Sequence, residues 1–153
     1  MDYSIQKERL QDASQLLLKQ GIDVWMIVTS EGSDPCLPIV TGVETVGLGV
    51  FLITKNNERI AISSTIDAQD IVESDLFHEV KTYQGNAEEV LQETIRIIKP
   101  ERIAVNYSQE DPVADGLTTG RFRWLKQTLD DIYPNEYESA EPILQQLRKI
   151  EST

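Results

Sequence analysis

Residues 23–29 read "DVWMIVT", and the run from Val24 to Val28 is apolar at every position rather than at alternate ones. A strand with one wet face alternates apolar and polar side chains, so an unbroken run predicts a central strand buried on both faces. Such a strand needs a covering layer above and below the sheet. That requirement excludes a two-layer domain with an open sheet face and points to helices on both sides.

The rest of the chain supplies those layers in alternation. "SIQKERLQDASQLLLKQG" (4–21) carries Leu10, Ala13, Leu16 and Leu17 on one stripe, with Ser4 placed as N-cap and Gly21 at the C′ position. "VGLGVFLIT" and "RIAIS" are separated by the polar "KNNE" (55–58), the pattern of a hairpin. "STIDAQDIVES" predicts a short helix, "HEVKTY" a half-buried strand, and "NAEEVLQETIRIIKP" a helix capped by Asn86 and closed by Pro100. "RIAVNY" is a further strand and "LTTGRFRWLKQTLDD" a further helix. A short strand near Glu136–Tyr137 precedes the final helix, in which Leu144, Leu147 and Ile150 form one apolar stripe. The stretch from Ser30 to Gly42, with Gly32, Asp34, Pro35 and Pro38, reads as loop with a short irregular turn of helix. The fold class is therefore α/β, a three-layer α/β/α domain on a mixed sheet, within a one-domain length of 153 residues.

Composition narrows the function classes. Acidic residues outnumber basic ones 26 to 14, a formal net charge of −12, and this field repels nucleic acid and anionic membrane surfaces. No apolar run approaches the roughly 20 residues of a membrane helix. The single cysteine, Cys36, excludes an internal disulfide and fits a reducing, cytoplasmic setting.

Catalytic groups are sparse. His78 is the sole histidine and heads a strand, where local hydrogen bonding accounts for it better than a triad role. Cys36, in "SDPCLP", reads as a small packing residue rather than a nucleophile. The acids are scattered without metal-ligand spacing; Asp67 with Asp70, and Glu88 and Glu89 with Gln92, read as solvated acids at helix starts. "GLG" at 47–49 enters a strand instead of opening a helix, so it is no dinucleotide fingerprint. "DPVADGLTTG" (111–120) lacks the Lys of a phosphate loop and serves as a connection. No catalytic residue, metal site or cofactor is expected in this chain.

Taken together, three stretches resemble the N-terminal domain of the creatinase/prolidase/aminopeptidase P family. "ERLQDASQLLLKQGIDVWMIVT" followed by "IVTG" (39–42) is similar to its opening helix, strand and loop. "RIAVNYS" is similar to its fifth strand, and "LQQLRKIES" to its Leu-Arg-x-Ile-Lys-Ser junction. There Arg148, Ile150 and Ser152 match, and Glu151 replaces the lysine. The resemblance implies a ribonuclease-H-like three-layer fold over residues 1–153. It also implies that the last helix leads into a pita-bread catalytic domain beyond residue 153. In the family that domain holds two divalent metal ions (manganese, cobalt or zinc) on two Asp, one His and two Glu. The resemblance further implies a homodimer, a proline-containing peptide as substrate, and a supporting role in assembly and substrate access. Ser33, Asp34, Thr41, Gly42 and Glu44 occupy the corresponding access loop, although Ile39 stands where an aromatic is usual and Pro38 near a common arginine. The alternative is a stand-alone interaction module of the same fold, and behind it a small enzyme using His78 or Cys36.

Overall fold

The computed structural model describes residues 3–30, 33–43 and 45–152, with side chains through residue 149. Among the described residues six strands form one mixed sheet. They are β1 (Val24–Ser30), β2 (Leu48–Thr54), β3 (Arg59–Ser64), β4 (Glu79–Tyr83), β5 (Ile103–Val105) and β6 (Glu138–Ser139). Their order across the sheet is β4-β3-β2-β1-β5-β6. β2 runs antiparallel to both its neighbours, while β1–β5, β5–β6 and β3–β4 are parallel pairs. Five strands thus share one direction, and their carboxyl ends gather at one end of the sheet.

The apolar run of β1 lies between β2 and β5, and Val24 through Val28 are each at most 2% exposed. Alternate residues serve opposite cores. Trp25 and Ile27 join Phe51, Ile53, Ala61 and Ala104 beneath α1 (Ser4–Gln20), the single turn α2 (Leu37–Val40), α3 (Thr65–Ser74) and α6 (Glu141–Ser152). Val24, Met26 and Val28 join Val50, Leu52, Ile60, Ile62, Ile103 and Val105 against α4 (Glu88–Ile98) and α5 (Thr119–Thr128). Both faces of the central strand are covered, and the predicted three-layer order stands.

Local chemistry explains the turns. Gly21 takes the left-handed conformation at φ 73°, which lets its own N–H and that of Ile22 bond back to Leu18 and Leu17 and turns the chain into β1. In the hairpin, Asn57 adopts φ 64° and the Thr54 hydroxyl exchanges hydrogen bonds with Glu58. Leu144 and Leu147 are buried in the core shared with α1, at 0% and 2% exposure, so the α6 stripe docks on this domain. Full burial of each contributes about 1.5–3 kcal/mol. The Ile150 side chain and residue Thr153 lie outside the described residues.

Three expectations need correction. The N-cap of α1 is Tyr3, and Ser4 is the first helical residue. α4 starts after Ala87 rather than Asn86 and has no side-chain cap; its first turn is held by Glu88, which accepts from the Trp124 indole at 2.8 Å. β6 is Glu138–Ser139, two residues beyond the predicted strand. Tyr137 lies just before it, with its ring packed on Tyr133 and Phe122, and the pairing with β5 begins at Glu138 opposite Ala104.

Candidate functional site

The predicted access loop leaves the carboxyl end of β1, where ligands collect in open α/β sheets. Its named residues divide into one on the surface, two in the interior and one between. Ser33 is exposed. Asp34 is only 1% exposed and Thr41 fully buried. Thr41 donates its hydroxyl to the Leu37 carbonyl at 3.3 Å and accepts from the Val43 N–H at 3.2 Å, closing the α2 turn. Gly42 is half-buried at φ 65°, donates its N–H to Leu37, and lies against the side chain of Gln6. Glu44 lies outside the described residues. Asp34 and Thr41 therefore act on the shape of the loop.

Asp34 is the centre of a buried polar network. One carboxyl oxygen accepts from the Cys36 N–H at 2.9 Å; the other accepts from the Asn106 side-chain amide at 2.9 Å. The Asp34 N–H donates to the Thr29 hydroxyl at 3.1 Å. Asn106 uses its other end as well, accepting from the Trp25 indole at 2.8 Å. The carboxyl group presses on Gly116, where a Cβ would stand 2.2 Å from Asp34 Cγ. No residue larger than glycine fits there without moving Asp34. Asn106 and Gly116 had no signal in the sequence beyond "RIAVNY" and an Asp-Gly pair, because their partner is 72 and 82 positions away.

Asp67 corrects the expectation of a solvated acid. It is 3% exposed, and its two oxygens accept from the Val46 N–H at 2.9 Å and the Gly47 N–H at 3.0 Å, with the Ser64 hydroxyl at 3.1 Å. Ser64 in turn caps α3 by accepting from the Asp67 N–H. The second half of the loop is thus clamped to α3, and Val46 and Ile66 are held outward at 70% and 78% exposure. Asp70, by contrast, is exposed.

The reactive candidates are occupied structurally. Burial, and then the neighbouring Asp34, push the Cys36 thiol well above its ordinary range, so it stays protonated and a poor nucleophile. His78 accepts through Nδ1 from the Arg59 N–H at 3.0 Å and donates its own N–H to the Arg59 carbonyl, tying the start of β4 to β3. Gln92 donates to the Thr128 carbonyl, so the Glu88–Gln92 face joins α4 to α5. Among the described residues no three His, Cys, Asp or Glu side chains gather to hold a metal ion. A groove of about 580 Å³ beside β6 is walled by Tyr107, Phe122 and Tyr137. A crevice of about 540 Å³ at the opposite end of the sheet is lined by Lys55, Lys81, Glu79 and Lys99. Neither brings a nucleophile onto a base. No helix among the described residues is long and apolar enough to cross a membrane.

No protein-family model matches the sequence, and no curated protein matches it. Solved structures do. The creatinase/prolidase N-terminal domain of an Xaa-Pro dipeptidase from Streptococcus pyogenes superposes with a TM-score of 0.70 at 12% identity. That match covers 92% of this chain and 98% of that one. The fold is that of a creatinase/prolidase N-terminal domain. The prolidase from Pyrococcus horikoshii matches at TM-score 0.66 and 14% identity, over 92% of this chain and 35% of its own. An Xaa-Pro aminopeptidase from Thermotoga maritima matches at TM-score 0.69 and 18% identity, over 89% and 35%. The chain spans about a third of the length of these two longer proteins. In this creatinase/prolidase N-terminal fold, the loop between β1 and β2 is the segment fixed by both buried carboxyl groups, Asp34 and Asp67.

Proposed function

We propose that this chain works as the non-catalytic N-terminal domain of a cytoplasmic Xaa-Pro dipeptidase or aminopeptidase. In this reading it assembles a homodimer and limits peptide access to a metallopeptidase domain following residue 153. The observation that carries the proposal is the double match in extent. The chain covers nearly all of an isolated N-terminal domain of an Xaa-Pro dipeptidase and about a third of two whole peptidases. In this reading peptide hydrolysis, with its two divalent ions, belongs to the following domain. The β1–β2 loop supplies the access role. Asp34, Thr41 and Asp67 hold its backbone, and Ser33, Pro35, Pro38 and Val46 are among the side chains it offers to a peptide.

The test uses the protein that carries this chain, with its natural continuation, and the 153-residue chain alone. Both are assayed on a proline dipeptide and on longer proline peptides, with metal content and mass in solution. The expected result is dimeric, metal-dependent hydrolysis by the longer protein and none by the short chain. Val46→Arg in the longer protein should change KM for longer peptides more than for the dipeptide. A longer protein that neither binds metal nor hydrolyses either substrate would replace this reading with the interaction module. Exposed Val46 and Ile66 are the surface such a module would use.

A further inference from the structure

The connection from β5 to α5, residues 106–118, touches both the candidate loop and the C-terminal helix, and its polar groups are committed in both directions. At its first residue, the Asn106 side chain binds Asp34, Cys36 Sγ and the Trp25 indole, while its carbonyl accepts from the Leu117 N–H at 2.9 Å. Two residues on, Ser108 donates its hydroxyl to Glu141 of α6 at 2.7 Å. The same hydroxyl accepts from the N–H groups of Glu110 and Asp111, and the Ser108 N–H donates to Asp115 at 3.0 Å. Asp111 then divides its carboxylate, one oxygen capping the short turn at Val113 and the other accepting from Arg148 of α6 at 2.9 Å. Gly116 closes the circuit by seating the Asp34 carboxyl group.

Surface connections ordinarily absorb displacement because few of their polar groups have fixed partners. This one has little slack. Ser108 serves four partners, Asn106 has both ends of its amide engaged, and Asp111 has both oxygens engaged. A shift of α6 pulls Ser108 and Asp111; the shared loop carries that shift to Asn106 and Gly116, two of the residues against the Asp34 carboxyl group. We propose that residues 106–118 form a mechanical joint coupling α6 to the loop after β1, so that whatever binds or displaces α6 changes the order of residues 33–37. The coupling is reciprocal, since a perturbation at Asp34 must reach α6 by the same free energy. It holds whether or not the chain serves a peptidase.

Amide hydrogen exchange by NMR on the 153-residue chain tests it. Ser108→Ala removes the bond to α6 without touching residues 33–37. The Asp34 and Cys36 amides should then exchange about fivefold faster or more, the lower bound of ordinary intersite coupling. The Asn57 amide, in the hairpin, should not change. Asp34→Asn should in turn speed exchange at Asp111 and Leu144. Arg148→Ala removes a half-exposed partner of Asp111 and keeps the measurement possible if Ser108→Ala does not fold; it should act in the same direction. Acceleration confined to residues 106–118 and α6 in both the Ser108 and Arg148 variants would overturn the joint.

Discussion

The two ends of the sheet are held by different chemistry. At the carboxyl ends of the parallel strands, Asp34 and Asp67 are buried and accept from backbone and side-chain N–H groups. At the opposite end, Asp23 pairs with Lys55 at 2.7 Å, and Glu138 pairs with Arg102, all partly exposed to solvent. A buried acceptor cannot be replaced by water when it is lost, so its donors are left bare. An exposed ion pair is replaced at little cost, because solvent screens it in the first place. The contrast places the rigid end under the candidate loop and the tolerant end away from it.

The largest effect should come from Asp34→Ala. It strands the Cys36 N–H and the Asn106 N–H that Asp34 accepts from in a dry site, and should cost about 2–4 kcal/mol in urea denaturation. A cost under about 0.5 kcal/mol, the scale of an ordinary surface change, would break the comparison. Asp67→Ala comes next, at about 1–3 kcal/mol, because the Val46 and Gly47 N–H groups it serves are near solvent and water recovers part of the loss. Its sharper readout is local: proteolysis of the intact fold should move to residues 43–47.

Cys36 gives a third measurement. At pH 8 the folded chain should react with a thiol reagent only as fast as it opens, and Asp34→Ala should speed that reaction. The thiol's raised pKa has a defined sign for stability. The folded state keeps its proton where the unfolded thiol gives it up. The contribution is thus intact below the unfolded thiol's range, near 8.5, and declines as pH rises above it. Rapid labelling at neutral pH without unfolding would contradict the burial on which the rigid end depends.

The smallest effect belongs to Glu138→Gln. The hydrogen bond from Arg102 outweighs burial and holds the Glu138 carboxyl below its usual value. A lowered folded pKa gives stability that is present above the unfolded value and is lost as pH falls through the folded one. The variant should therefore melt almost as the parent does at neutral pH, with a weaker fall in stability below pH 4. A melting loss at neutral pH as large as that of Asp34→Ala would erase the distinction between the two ends.

The same contrast explains what could be read in the chain. Apolar patterning carries over short windows, so "DVWMIVT", the "KNNE" turn and the Leu144–Leu147 stripe were legible and place the three layers. Gly21 was legible for the same reason, since its requirement is local. Caps were less so: whether Ser4 or Tyr3, Asn86 or Ala87 begins a helix is decided by neighbouring packing such as the Trp124 indole on Glu88. The buried acids were illegible. Asp34 and Asp67 look like surface residues, and what makes them interior includes the N–H groups of Asn106, Val46 and Gly47, brought to them only when the sheet closes. Within the loop named in advance, the sequence signalled the segment but not which residues face inward.

The Asp34 carboxyl group, 2.2 Å from where a Cβ of residue 116 would stand, has a genealogical consequence. Two positions 82 apart in the chain are one steric unit, so 116 cannot gain a side chain while Asp34 stays where it is. A lineage that acquires a methyl group at 116 must first have shortened residue 34, and one that loses the acid at 34 frees 116 to become alanine or serine. Relatives of this chain should therefore carry a residue larger than glycine at 116 only where position 34 no longer holds the acid. That dependence would be visible in sequences alone, in proteins whose overall identity to this one is too low to align by any other mark.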